Sequence, residues 1–317
     1  MPEAMIPSQW LTEAAQRIAP HIRRTQLQYD PNLDVYLKWE NRQVTGSFKV
    51  RGALNKVLSL SDWEKQRGLV TASAGNHGQG VALAGNLVNA QVTVFASEHA
   101  WPAKVEAMRS YGAEVRLVPG GYGEAEQAGL DFAEQEEKTW VSPYNDGQII
   151  AGQGTLAMEI MDQLPTQGEF TWVVPVGGGG LASGVGSALK VEANAARHHR
   201  LVGVQSVASA FMYSLYYHGT QEEVVESSSL ADGLAGPVEK NSITIPIVRS
   251  LVDQIVLVEE EQIAHAIRYA WENYNEKLEG SAAVTLAAVL NRTVAQHPAV
   301  IVLSGGNIQP EVFRQLA

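Results

Sequence analysis

Lys49 stands in the run Thr45-Gly46-Ser47-Phe48-Lys49-Val50-Arg51-Gly52-Ala53, a small-residue turn that opens into an amphipathic segment. Apolar residues at Ala53, Leu54, Val57 and Leu58 have the spacing of one helical face. With Ser47 as N-cap, Lys49 falls in the first helical turn, where the positive end of the helix dipole disfavours a cation. Partial burial at such a place lowers a lysine's pKa and frees its amine to act as nucleophile or base. The competing reading is an ordinary solvated lysine. Three glycine-bearing stretches share the chain with it: Ser73-Ala74-Gly75-Asn76-His77-Gly78-Gln79-Gly80, Gly177-Gly178-Gly179-Gly180-Leu181 and Leu303-Ser304-Gly305-Gly306-Asn307.

Each stretch has a physical use. Ser73 to Gly80 follows a short apolar strand and opens a helix, so its N–H groups suit a carboxylate or phosphate. Gly75 and Gly78 let another molecule approach the backbone. A plain strand-to-helix turn capped by Asn76 is equally compatible. Gly177 to Gly180 follows the apolar run Trp172 to Val176. Four glycines in succession cost backbone entropy, which is hard to explain unless the loop wraps something; a nest of N–H groups at a helix start binds phosphate. The alternative is a flexible surface loop. Two other phosphate loops fit poorly. A Walker A loop needs a lysine where Leu181 and Ala182 stand. A dinucleotide fingerprint needs a third glycine where Ala182 and Ser183 stand, and an acidic residue where the next strand ends in Gln205. Ser304 to Asn307 alone reads as a turn. Glu279, ahead of Gly280-Ser281-Ala282-Ala283, places negative charge before a helix. Asp232-Gly233-Leu234 is a loop signal. Among eight histidines, His198 and His199 are too close for a facing helical pair, and no His-Glu-x-x-His occurs.

The positioning elements alternate. Ser8 to Ala19 reads as a helix stopped by Pro20, and Asp34 to Trp39 as a half-buried strand. Strands are predicted at Leu69 to Ala72, Gln91 to Ala96, Glu114 to Val118, Thr171 to Val176, Leu201 to Gln205, Gln254 to Val258 and Ala299 to Leu303. Helices are predicted at Asn76 to Val88, Pro102 to Tyr111, Glu124 to Glu137, Gly154 to Leu164, Leu181 to Ala193, Glu260 to Tyr274 and Ser281 to Val294. Gln221 to Ser250 reads as loops. Strands alternating with helices imply parallel sheets covered on both faces, in two α/β halves that meet near Tyr144.

The 317 residues suffice for one large domain or two intimate ones, and 45% hydrophobic with 18% charged residues describes a globular chain. A net charge of -11 argues against a nucleic-acid or anionic-membrane partner. The absence of cysteine excludes disulfides, thiolate metal sites and cysteine nucleophiles. Met1 to Trp10 has no basic region followed by an apolar core, and no apolar run reaches membrane-spanning length, so a cytoplasmic location is the default expectation.

The lysine stretch resembles the cofactor-lysine motif of the threonine dehydratase and serine racemase family, pyridoxal-phosphate enzymes of the tryptophan synthase β-like fold (fold type II). The likeness extends to the three glycine-bearing stretches, in family order across nearly the whole chain. It implies two parallel-sheet, three-layer α/β domains: a large cofactor-binding domain from residues 1–45 and 147–317, and a small inserted α/β domain from residues 46–146. It implies Lys49 as the catalytic residue, with pyridoxal 5'-phosphate held by Phe48, Lys49, Asn76, Gly177, Gly178, Gly179, Gly180, Leu181, Glu279 and Ser304. The Asn76 amide would meet the ring hydroxyl oxygen, and the Ser304 hydroxyl the pyridine nitrogen. Ser73, Ala74, Gly75, Asn76 and His77 would take the substrate carboxylate. A neutral hydroxyl cannot hold the pyridine nitrogen protonated as a carboxylate would, which suits elimination over a long-lived carbanion.

The expected function is pyridoxal-phosphate-dependent β-elimination, the dehydration and deamination of a small β-hydroxy amino acid such as L-threonine or L-serine to a 2-oxo acid and ammonia. The alternatives are an amino-acid racemase or β-replacement enzyme on the same cofactor, and a small-anion-binding protein that kept the fold. Racemases of the family place a serine where this chain has Ala74. Some members hold a divalent cation with a glutamate where it has Gln205, so no metal is expected. Family analogy implies a homodimer or higher homo-oligomer. Longer relatives carry a regulatory domain beyond the last stretch; with the chain ending at Ala317, control through such a domain is not expected.

Overall fold

The computed structural model describes residues 4–192, 197–294 and 298–316. Ten strands run in chain order: β1 Leu27–Asp30, β2 Val35–Trp39, β3 Leu69–Ala72, β4 Val92–Ser97, β5 Glu114–Val118, β6 Thr139–Trp140, β7 Gly168–Pro175, β8 Arg197–Ser206, β9 Gln254–Val258 and β10 Ala299–Leu303. Between them lie α1 Ser8–Ile18, α2 Lys49–Ser59, α3 Asp62–Gln66, α4 Asn76–Leu87, α5 Pro102–Ser110, α6 Tyr122–Gln135, α7 Gly147–Met161, α8 Gly180–Glu192, α9 Phe211–His218, α10 Thr244–Leu251, α11 Glu260–Tyr274, α12 Gly280–Leu290 and α13 Pro310–Leu316.

The strands form two sheets. One has six strands in the order β1-β2-β10-β7-β8-β9, and the other four in the order β5-β4-β3-β6. Every pairing is parallel except the edge pair β1–β2. Parallel sheets are covered on both faces, which is why β3 and β10 are buried along their whole lengths. Cores lie on both faces of the six-stranded sheet. One is built around Trp172, Val174 and Ile150, the other around Trp39, Val173 and Ile301.

Four strands end together around one crevice. The turn at Ser73 follows β3, the segment Val141 to Asn145 follows β6, the four glycines follow β7, and Ser304 follows β10. Open parallel sheets bind ligands at the carboxyl ends of their strands. The lysine turn is stitched to the exit of β10. Phe48 N–H donates to the Ser304 carbonyl at 3.0 Å, and Gly306 N–H to the Gly46 carbonyl at 2.9 Å.

Several local expectations are corrected. Ser47 does not cap α2: the N-cap position is Phe48, and the buried Ser47 hydroxyl faces the exit of β10, where Ser47 forms an isolated bridge with Gly305. Asn76 is the first residue of α4 and not its cap, which is Gly75. Helix α7 begins at Gly147, two turns before Gly154, because the Asp146 carboxylate accepts from the N–H groups of Gln148 and Ile149 at 2.8 and 3.0 Å. The stretch read as loops contains α10. Its Pro246 sits in the first turn, where a missing N–H costs nothing, and Ile247 and Val248 are buried. The strands β1 and β6 and the helices α3, α9 and α13 have no counterpart in the periodicity. The end predicted for the helix after Leu181 falls at Ala193, outside the described residues.

Candidate active site

Lys49 is the first residue of α2. Its Nζ donates to the Pro143 carbonyl at 3.0 Å and lies 5.6 Å from the centre of the Phe48 ring. Burial lowers its pKa to about 8, against the opposing pull of the Glu279 charge. The helix itself is pinned from below. Arg51 is fully buried and forks onto Glu40 at 2.7 and 2.8 Å, with a further bond to Glu159 at 2.9 Å. Lys38 completes the cluster on Glu159 at 2.6 Å. The crossing of α2 over α7 is close: a Cβ on Gly152 would fall 2.6 Å from the Arg51 carbonyl.

The turn after β3 opens toward the same crevice. The Ser73 hydroxyl accepts from Gly75 N–H at 3.1 Å, and Ala74 is exposed. Asn76 Nδ2 donates to Glu279 Oε1 at 2.6 Å. His77 is buried, its Nε2 lies 3.2 Å from the Val141 carbonyl, and its Nδ1 has no partner. Facing a carbonyl, Nε2 carries the proton. Burial first, and then the Lys49 charge, push the His77 pKa down to about 3, so the ring is neutral. Glu279 is pushed up to about 7, by burial first and then by Asp232, with Lys104, Asn76 and Lys49 opposing.

The glycine loop is a held cradle. A Cβ on Gly178 would fall 2.6 Å from the Tyr144 ring, and one on Gly180 2.9 Å from the Tyr144 Cβ. Gly179 has φ +87°, a conformation that glycine adopts without strain. Thr244 Oγ1 fixes the loop by donating to the Gly178 carbonyl at 2.6 Å. A Cβ on Gly177 would fall 3.0 Å from the Leu234 Cα. Leu181 is core, and Ser304 is 2% exposed at the end of β10.

Lys49, Asn76 and Glu279 thus converge, tied by hydrogen bond or by electrostatic coupling. Phe48 and Ser304 meet through their backbones. Sequence reasoning missed the segment Ser142 to Asn145, which supplies the Pro143 carbonyl to Lys49 and the Tyr144 wall to the glycines. Its signal was a Ser-Pro-Tyr-Asn-Asp cluster directly after a strand, a composition typical of turns. The ion pair of Lys104 with Asp232, 2.8 Å across the crevice, was also missed. Gln205 has its side chain hydrogen-bonded: Oε1 accepts from Tyr213 N–H at 2.7 Å and Nε2 donates to the Ser209 carbonyl at 3.4 Å. Among the described residues no group of three or more histidine and acidic side chains is placed to hold a metal ion.

These features fit pyridoxal phosphate. A buried amine of lowered pKa suits attachment to an aldehyde, and a glycine cradle at the start of α8 suits a phosphate. Fold and site together define the fold-type II class of pyridoxal-phosphate enzymes. The chain belongs to the pyridoxal-phosphate dependent enzyme family, whose model matches residues 18–305. It is 41% identical over 317 residues to the L-threonine ammonia-lyase of Geobacter sulfurreducens, covering 96% of this chain and 76% of that protein. Maize serine racemase superposes with a TM-score of 0.89 at 30% identity, covering 98% of this chain and 96% of that one. The processed threonine deaminase isoform 2 of Solanum lycopersicum superposes with a TM-score of 0.85 at 29% identity, covering 99% and 94%.

Proposed function

We propose that this enzyme is an ammonia-lyase that converts a small β-hydroxy amino acid, L-threonine or L-serine, to the 2-oxo acid and ammonia. The observation that carries this reading is the buried Lys49 amine, hydrogen-bonded to the Pro143 carbonyl next to Tyr144, which walls the glycine cradle, and lowered to a pKa of about 8. Phe48, Lys49, Asn76, Gly177 to Gly180, Leu181, Glu279 and Ser304 would hold pyridoxal phosphate, with Lys49 as its covalent anchor. When bound, the cofactor supplies a sink for the electrons left on the substrate α-carbon.

The chain's own groups do the rest. The turn Ser73 to His77 binds the substrate carboxylate. With Ser73 N–H held by the Phe95 carbonyl and Gly75 N–H by the Ser73 hydroxyl, the N–H groups of Ala74, Asn76 and His77 serve it, and neutral His77 adds no charge beside Lys49. At pH 7 a pKa near 8 leaves about one Lys49 amine in ten unprotonated, against well under one in a thousand for a solvated lysine. Released from the cofactor, Nζ takes the α-proton as general base. The β-hydroxyl departs with its bonding electrons. Water is lost and regained in the net change, so amino acid becomes 2-oxo acid plus ammonia. The carbonyl of Pro143 gives the free amine a fixed resting place.

In the same reading, residues 46–146 form a small inserted α/β domain. The supporting observation is that all four strands of the smaller sheet lie between Leu69 and Trp140. A cytoplasmic location and a homodimer or higher oligomer complete the proposal, the latter testable by light scattering. Among the described residues no helix is long and apolar enough to cross a membrane.

Replacing Lys49 by alanine tests the function: the visible cofactor absorption and 2-oxo acid production should both vanish, and retained 2-oxo acid production would refute the reading. The likeness to maize serine racemase favours a second reading, racemisation. It would need a proton donor on the face opposite Lys49, and the exposed residue in the turn is the methyl of Ala74. Chiral analysis of serine after incubation should find no D-serine, and Ala74→Ser is the variant in which it should emerge.

A further inference from the structure

Asn307 lies beyond Gly305 and Gly306 at the exit of β10, half-buried. Its Nδ2 donates to the Thr45 carbonyl at 2.9 Å and to Asn76 Oδ1 at 2.6 Å. Asn76 Nδ2 donates in turn to Glu279 Oε1 at 2.6 Å. The direction of this chain is set at its origin. A peptide carbonyl only accepts, so Asn307 must present its NH2 to Thr45. The second hydrogen of that NH2 faces Asn76, which must answer with its oxygen. The Asn76 NH2 is thereby turned the other way. One of its hydrogens meets Glu279, and the other remains for one more acceptor.

We propose that Asn307 is the positioning residue that fixes the orientation of the Asn76 carboxamide, so that its NH2 and not its oxygen meets an oxygen of the bound cofactor. This rests on the reading that Asn76 contacts the cofactor. The two ends of a carboxamide are nearly equal in size, so shape alone does not select between them. Glu279 selects only while ionised, because a carboxylic acid can also donate to Asn76 Oδ1; Asn307 selects at every pH. Gly46 is independent support. It has φ +73°, and a Cβ there would lie 3.1 Å from the Asn307 Cγ, so the missing side chain leaves the room that Asn307 fills.

The test titrates the apoprotein with pyridoxal phosphate and records the dissociation constant and the position of the visible band. Four proteins are compared with wild type: Asn76→Ala, Asn307→Asp, Asn307→Leu and the double variant Asn307→Asp/Asn76→Ala. Asn307→Asp keeps size but loses both donors, and Asn307→Leu removes the polar group without adding charge. Each Asn307 variant should bind about tenfold more weakly, the loss of one oriented hydrogen bond. Each should shift the band in the direction seen for Asn76→Ala. The double variant should be no weaker than Asn76→Ala alone, since the two residues act through one contact. Wild-type binding and an unmoved band in both Asn307 variants, or additive losses in the double variant, would overturn the inference alone. An unmoved band and unchanged binding in Asn76→Ala would overturn the cofactor contact as well, and the inference with it.

Discussion

Lys49 and Glu279 hold perturbed protons for the same reason, burial, and the consequences have opposite signs. For Lys49, burial favours the neutral amine. The rate at which the apoprotein captures pyridoxal phosphate should therefore rise with pH up to about 8 and level off, whereas a solvated lysine would keep rising toward its ordinary value near 10.5. Stopped-flow mixing across pH 6 to 10 reads this directly. For Glu279 the folded pKa of about 7 exceeds the ordinary 4.5. The folded state binds the proton more tightly, so the stability from this group is full below pH 4.5 and is lost as pH rises through 7. The variant Glu279→Gln, which carries no titrating proton there, should gain on wild type across that window, by on the order of 3 kcal/mol at pH 8. Urea unfolding of the two apoproteins at pH 4.5 and pH 8 measures it; parallel behaviour would show that Glu279 is not buried as an acid.

Helix α2 places the lysine, and two kinds of contact place α2. The first is the glycine crossing with α7. Gly152→Ala would drive a methyl into the Arg51 carbonyl, and overpacking of this kind costs about 1–3 kcal/mol. The helix would also be pushed outward, so cofactor affinity should fall with the melting temperature. The second is the buried cluster of Arg51, Glu40, Glu159 and Lys38. Arg51→Met leaves the Glu40 carboxylate buried with its main partner gone, a loss of about 3–5 kcal/mol by comparable deletions. Chemical denaturation checks both variants. At this scale the sequence was legible where one face repeats or an apolar run is unbroken: α11 lies at Glu260 to Tyr274 and β10 at Ala299 to Leu303, as the sequence predicts. It was illegible where position in the helix changes a residue's meaning. Pro246 lies in a stretch that reads as loops but sits harmlessly in the first turn of α10. Ser47 reads as a cap, yet the backbone turns one residue later, and its hydroxyl faces the exit of β10 instead.

The whole molecule is two sheets whose strand ends share one crevice, and ligand binding there should couple to global stability. At a pyridoxal-phosphate concentration one hundred times its dissociation constant, the apoprotein should gain about 2.7 kcal/mol. Pyridoxal, without the phosphate, should raise the melting temperature less at equal concentration, because it makes no use of the glycine cradle. Equal shifts would contradict that role for Gly177 to Gly180. The family, the cofactor and the parallel-sheet architecture were readable from four short motifs. The order of strands within each sheet was not, because pairings such as β2 with β10 join residues more than 250 positions apart and leave no local trace. The Tyr144 wall and the Asn307 bond escaped for the same reason, since each is defined by what it meets across the crevice. The most direct measurement of the central claim is borohydride reduction of the holoenzyme, followed by peptide mapping. A phosphopyridoxyl label on Lys49 alone is the predicted result; a label on another lysine, or none, would contradict the account.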